Sequence, residues 1–389
     1  MKNIFRYKTS FSQLSVFFLL SFCCYFMTAI MSISPIYFST FIGIIFLFLQ
    51  LYYKNIPYAS IFVYGSCIFY SLWYLIDCII LDTKIHQALV SSFFALYYIF
   101  IDIALYQIND KKKINKLIKF SYFIFLTYYL FDLALRYRTM QTLEVPEWMK
   151  VNPILKFYLL KQGGFTGDSN TMGVFCTVFF SVTFFSFLNK IFTKKYVILA
   201  FILTVFTCSR AAIVSCLALL LFWYFFYITK TSTKCLLLIL GIILISAVFI
   251  IFLKDASFLT KLDIFQKTIE YIKKCDISTF LVGLGPNNSK LALGRYAHNI
   301  WSIMLIEYGF VGLVLFFSMM LLLMASTGKY FFIVAIPYFL ISLSFTPIFL
   351  QFLFCGFSIV KHISRIYPLI SHPRIIKHKK HYFLKYQLA

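Results

Sequence analysis

The chain predicts an all-α, polytopic membrane protein of about twelve transmembrane helices, and three observations carry that prediction. The first is composition. Of its 389 residues, 61% are hydrophobic, 21% aromatic and only 13% charged, where a soluble chain carries about a quarter charged residues. The second is a mean hydropathy of +0.86. The third is that apolar runs recur along the whole chain, many of them near the roughly 20 residues that a helical crossing needs. The formal charge of +23 therefore does not indicate nucleic acid. Basic residues sit between apolar runs, where they set topology and face anionic headgroups.

The first run, 13–33, follows a basic leader with Lys2, Arg6 and Lys8. It exceeds a usual signal-peptide core, and the stretch from Thr28 makes a poor small-residue cleavage site, so it reads as an uncleaved span. Further spans are expected at 35–53, 57–80, 88–106 and 117–135. After a polar stretch they resume at 169–188, 196–209, 211–228 and 235–253. The last three are expected at 298–325, 330–345 and 347–360. Within 330–360, Phe345-Thr346-Pro347 interrupts about 30 apolar residues. That exceeds one crossing, so a hairpin broken at Pro347 is preferred. The whole chain, 1–389, reads as one polytopic membrane domain.

Lysine and arginine orient the spans. With the N terminus inside, the cytoplasmic segments hold Lys54, Lys111, Lys112, Lys113, Lys116, Lys190, Lys194 and Lys195, and a basic tail, 361–389, without an acidic residue. The short outer hairpins are nearly free of basic residues, so both termini are expected in the cytoplasm. Two long outer loops, about 136–168 and 254–297, collect polar residues and glycines. In the second, Phe258, Leu262, Phe265, Ile269 and Ile272 recur at helical spacing, with lysines elsewhere. That pattern reads either as an amphipathic helix on the outer membrane surface or as a loop-packing helix.

Of ten cysteines, Cys275 alone falls clearly in an outer loop, so no disulfide framework is expected. No CxxC, HExxH or Walker A pattern occurs, and the glycine-rich 283–288 stretch follows no strand of a βαβ unit. No metal site and no cofactor are expected.

Three polar clusters fall at outer span ends. Gly163-Gly164-Phe165-Thr166-Gly167-Asp168-Ser169-Asn170 leads into one span. Asp168 and Asn170 could cap its helix or offer a polar rim for sugar hydroxyls. Cys208-Ser209-Arg210-Ala211-Ala212 joins two spans. Arg210 could snorkel, or could bind phosphate oxygens bidentately, while the alanines allow close helix approach. In the third cluster, Arg295, His298 and Asn299 open an apolar segment carrying Glu307. A neutral imidazole can accept a hydroxyl proton, Arg295 can hold an anion, and Glu307 can pair with an arginine from another span or orient a base. An ionisable residue within a span is a functional candidate by default. Asp77, Asp102 and Asp132 read instead as structural partners of polar groups.

The glycine-rich approach to Asp168, the Ser209-Arg210 turn, the Gly283/Gly285 stretch, His298-Asn299 and Glu307-Tyr308-Gly309-Phe310-Val311-Gly312, in that order, resemble the O-antigen polymerase and O-antigen ligase superfamily. The resemblance covers roughly residues 160–315. It implies a metal-independent glycosyltransferase acting on an undecaprenyl-diphosphate-linked glycan at the outer face of the bacterial inner membrane. It also implies membrane lipids as surroundings, with a chain-length regulator and a flippase as candidate partners. By position, Arg210 and Arg295 would hold the diphosphate and His298 would assist deprotonation of the acceptor hydroxyl. Glu307 and Asp168 would orient, with Asn170 and Asn299 in the polar rim. The chain lacks the arginine–glycine spacing of one such motif, which leaves Arg136 and Arg138 without a role. Compact loops favour polymerisation of repeat units into O-antigen or capsule. The alternatives are ligation of polysaccharide to lipid A–core and transport of lipid-linked oligosaccharide.

Overall fold

A computed structural model describes residues 10–27, 35–53, 60–81, 93–108, 110–143, 159–161, 164–165, 169–227, 231–236, 239, 241, 256–297, 299–343 and 351–367. No strand occurs among them. The helices used below are α1 (Phe11–Met27), α2 (Pro35–Tyr52), α3 (Ile61–Ile80), α4 (Leu96–Tyr106), α5 (Lys111–Thr142), α6 (Ser169–Leu188), α7 (Lys194–Phe206) and α8 (Arg210–Tyr227). They continue as α9 (Ala256–Lys274), α10 (Ile277–Val282), α11 (Ser289–Leu293), α12 (Ile300–Glu307), α13 (Gly309–Thr327), α14 (Phe331–Ser342) and α15 (Gln351–Ile366).

Four helical stretches are long and apolar enough to cross a membrane: 61–79, 111–142, 169–188 and the run 309–342 formed by α13, a 3-10 turn and α14. α1, α2, α4 and α8 are apolar but shorter. The fold is all-helical and membrane-protein-like, with four such stretches among the described residues; the expected count of twelve spans is not confirmed. The expected span at 235–253 and the break at Pro347 lie largely or wholly outside those residues.

The apolar sequences dictate the layers. α4 is buried from Leu96 to Leu105, and α6 is 83% buried. With α15 they form the centre, where Phe352 of α15 stacks on Phe22 of α1 and Phe125 of α5. α1, α2, α3, α5, α13 and α14 surround them. Their outward faces show Phe38, Phe48, Phe62, Phe69, Phe131 and Leu321. Such faces suit lipid, since a membrane helix gains no water-driven benefit from hiding them.

Buried charges fix the two ends of this bundle. At one end, Asp102 of α4 accepts from Tyr64 of α3 at 2.6 Å and from Lys361 and His362 of α15, each at 2.8 Å. Lys361 also donates to Ser60 and Tyr98. The basic tail expected from 361 therefore begins as the last turns of a packed helix. Beside this cluster, Arg365 lies over Tyr106, Lys111 over Tyr367 and Lys113 over Phe11. The starts of α1, α3 and α5 and the ends of α4 and α15 thus form a basic collar.

Candidate functional site

The opposite end follows from helix length, because α3 and α5 both start at the collar and rise ~1.5 Å per residue. The far end of α5 carries a second buried charge pair. Arg136 Nε meets Asp132 Oδ2 at 2.6 Å, both side chains fully buried. Arg136 also donates to the carbonyls of Leu160 and Lys161, and the Phe165 amide donates to Asp132 Oδ1 at 2.7 Å. The loop expected from 136 therefore starts as helix, which runs through Arg136 to Thr142. The i,i+4 spacing of Asp132 and Arg136 places them on one face. That spacing was the signal available in sequence for Arg136. Phe165 stacks on Tyr128 of α5, which brings the approach to α6 to this end.

α6 starts at Ser169 and α8 at Arg210, and their starts touch. Ser209 Oγ donates to Asn170 Oδ1 at 3.1 Å. A Cβ on Gly173 would lie 2.8 Å from Ser209 Cβ and 3.0 Å from Ala212 Cβ. The glycine therefore permits the contact, and Ala212 is buried as its small size suggests. Arg210 is exposed at the first turn of α8. Asp168 lies outside the described residues.

The third cluster is built around α12. Asn299 caps this helix, its Oδ1 accepting from the Ser302 amide at 2.8 Å. His298, one residue earlier, lies outside the described residues. The expected span at 298–325 is broken: α12 ends at Glu307, and Gly309 takes a φ of 63°. Into this break docks the 283–289 loop. The Leu284 and Gly285 amides donate to the Ile306 and Glu307 carbonyls at 2.8 and 3.0 Å. A Cβ on Gly283 (φ 91°) would sit 2.5 Å from the Glu307 carbonyl oxygen, so two backbones meet directly. The Glu307 carboxylate then accepts from the Asn287 amide at 2.9 Å and the Ser289 amide at 3.2 Å. Both carboxylate oxygens of this sequence-predicted catalytic residue thus hold the loop.

Arg295 pairs with Asp263 of α9 at 3.4 Å, and Lys267 shares that carboxylate at 3.1 Å, all three partly exposed. α9 is the amphipathic helix expected from sequence, and it packs on the body. Ile264 is buried with Leu293, Ala297 and Ile306, and Thr268 donates to Ser302 at 2.8 Å. Its other face leaves Leu259, Leu262, Phe265 and Ile269 exposed. Beyond α9, Ser278 and Thr279 donate to the Asp276 carboxyl at the cap of α10 and hold it below the usual carboxylate range.

The α12–α13 break belongs to the same end as Arg136. Tyr308 stacks on Tyr74 in the far half of α3 at 5.1 Å, while Ser326 near the end of α13 meets Tyr98 beside the collar. The fold thus brings Asn170 and Arg210 together in one group, and Arg295, Asn299 and Glu307 in another, both at the end away from the collar. No protein-family model matches the chain, and no curated protein matches it.

Proposed function

We propose that this chain polymerises undecaprenyl-diphosphate-linked oligosaccharide repeat units into a surface polysaccharide at the outer face of a bacterial inner membrane. One observation carries the reading: the two groups of motif residues share the end of the bundle opposite the basic collar. By the positive-inside rule a collar of lysine and arginine faces the cytoplasm, which turns the motif groups outward.

The reaction follows from charge. An acceptor hydroxyl oxygen of one lipid-linked unit bonds to the anomeric carbon of another. The bond from that carbon to the diphosphate breaks, and its electron pair leaves with the diphosphate. Arg210 and Arg295 stabilise the developing negative charge. His298 takes the hydroxyl proton. Asp168 and Asn170 hydrogen-bond sugar hydroxyls. Asn299 sets the start of α12, and Glu307 positions the 283–289 loop beside the donor.

A flippase needs cations along its route, but the buried Arg136 is tied to Asp132, and Lys361 to Asp102. Transfer chemistry at one face is therefore favoured over transport. The test is His298→Ala in a strain whose polysaccharide depends on this chain, with protein level measured in parallel. General-base assistance contributes on the order of 10²–10⁴-fold, so single repeat units should replace long chains on a gel. A full ladder would overturn the assignment of His298. Full ladders from Arg210→Ala and Arg295→Ala as well would overturn the glycosyltransferase reading.

A further inference from the structure

Three aspartates lie in the apolar helices α3, α4 and α5, and their surroundings differ. Asp132 has Arg136, and Asp102 has Lys361, His362 and Tyr64. Asp77, on α3, is 1% exposed, and neither of its carboxyl oxygens has a hydrogen-bond partner among the described residues. One turn earlier, the indole Nε1 of Trp73 also lacks an acceptor among them. Trp73 faces α13, where a Cβ on Gly312 would lie 3.3 Å from that nitrogen.

An ionised carboxylate cannot stay unpaired in such a place. Its desolvation cost is large enough that the group gives up its charge instead. The neighbours push the same way. Glu307, a second acidic side chain, ends α12 next to Tyr308, whose ring stacks on Tyr74, one turn from Asp77 on α3. Tyr74 of α3 and Tyr308 at the start of α13 are stacked neutral rings. On α4 the charged group is Asp102, which is bound to Tyr64, thirteen residues before Asp77 and so ~20 Å away along α3. A cation in place of a proton would need several oxygen ligands, yet Trp73 is a donor and each Glu307 oxygen faces a backbone amide. Both Glu307 oxygens already accept from backbone amides, whereas neither Asp77 oxygen has a partner among the described residues, so the open position for the proton is on Asp77.

We propose that Asp77 is a proton-binding site, forming with Glu307 a carboxyl pair that holds one proton at the motif-bearing end of the bundle. Its neutral acid lets α3 close against α12 and α13 and places a hydrogen-bond donor beside the loop that Glu307 fixes. The site does not depend on whether the chain transfers sugars.

Infrared spectroscopy of the full-length protein in lipid vesicles at neutral pH tests it, because a protonated carboxyl absorbs apart from an ionised one. The wild type should show a carboxylic-acid band that Asp77→Asn removes and Glu307→Gln keeps. Asn mimics the neutral acid in shape and charge, so Asp77→Asn should also accumulate at the wild-type level. The absence of the band from the wild type would overturn the proposal. So would its loss in Glu307→Gln with survival in Asp77→Asn. Should Asp77→Asn fail to accumulate, the wild type alone decides. A membrane-soluble carbodiimide modifies protonated carboxyls, and an adduct mapped to Asp77 supports the site, whereas a map without it overturns the site.

Discussion

Replacing Arg136 with methionine removes the charge and keeps most of the side chain's length. Asp132 would keep the Phe165 amide but lose its cation, and the Leu160 and Lys161 carbonyls would lose their shared donor. Breaking a fully buried ion pair from one side costs about 3–5 kcal/mol, a shift of roughly 10²–10⁴ in the folding equilibrium at about 1.4 kcal/mol per factor of ten. Asp132→Leu should cost a similar amount, because it strands the guanidinium. The double variant strands neither charge, so Asp132→Leu/Arg136→Met should cost no more than either single change, where independent sites would add. Reversible unfolding in mixed detergent micelles, followed by circular dichroism, measures the three values. Singles that cost less than ~1 kcal/mol, or a double variant equal to their sum, would refute a coupled buried pair.

Two further outcomes follow from the same end of the molecule. Gly283→Ala and Gly309→Ala each force a Cβ into a left-handed backbone held against another backbone. Strain of about 1–3 kcal/mol each, with the backbone clash added, should undock the 283–289 loop and speed its limited proteolysis, while Gly294→Ala, which shares the left-handed backbone (φ 70°) but meets open space, should speed cleavage there less; equal rates for all three would sink the docking argument. Asp276, held below the usual carboxylate range by Ser278 and Thr279, stabilises α10 at neutral pH. A depressed folded value means the contribution is present above the unfolded value of about 3.9 and fades as pH falls below it. Amide exchange of 277–282, compared at each pH with Asp276→Asn, should show the advantage of aspartate vanish in acid, and an advantage that persists there would contradict the cap.

Much of the fold was legible because apolar runs and helix signals are local. α6 falls at 169–188 as its hydropathy predicts, and the periodic apolar stripe around Leu262 and Phe265 marks α9. Asn299 as a cap was legible too, since a cap bonds within three residues. What composition could not show is which charges meet. Glu307 lies 18 and 20 residues from the amides it holds, and Asp102 lies about 260 residues from Lys361 and His362. The break at Gly309 was hidden for the same reason, as apolar residues flank it on both sides and only the approaching Gly283 backbone requires it.

A basic residue next to an apolar run carries two meanings that hydropathy alone cannot separate. It can lie exposed over a ring at the end of the bundle, as Arg365 and Lys111 do over their tyrosines in the collar, or it can turn inward onto a buried carboxylate. Lys361 and Arg136 turn inward because Asp102 and Asp132 sit at matching depths on helices packed beside them or one turn away. Burial is tolerable only with that partner, since an isolated charge in an apolar bundle costs more than the surrounding contacts supply. By the same logic, a carboxyl at such depth with no cation beside it must be neutral. Asp77, with no partner among the described residues, is thereby set apart from Asp102, whose partners lie far along the chain, and from Asp132, whose partner stands one turn away in the sequence.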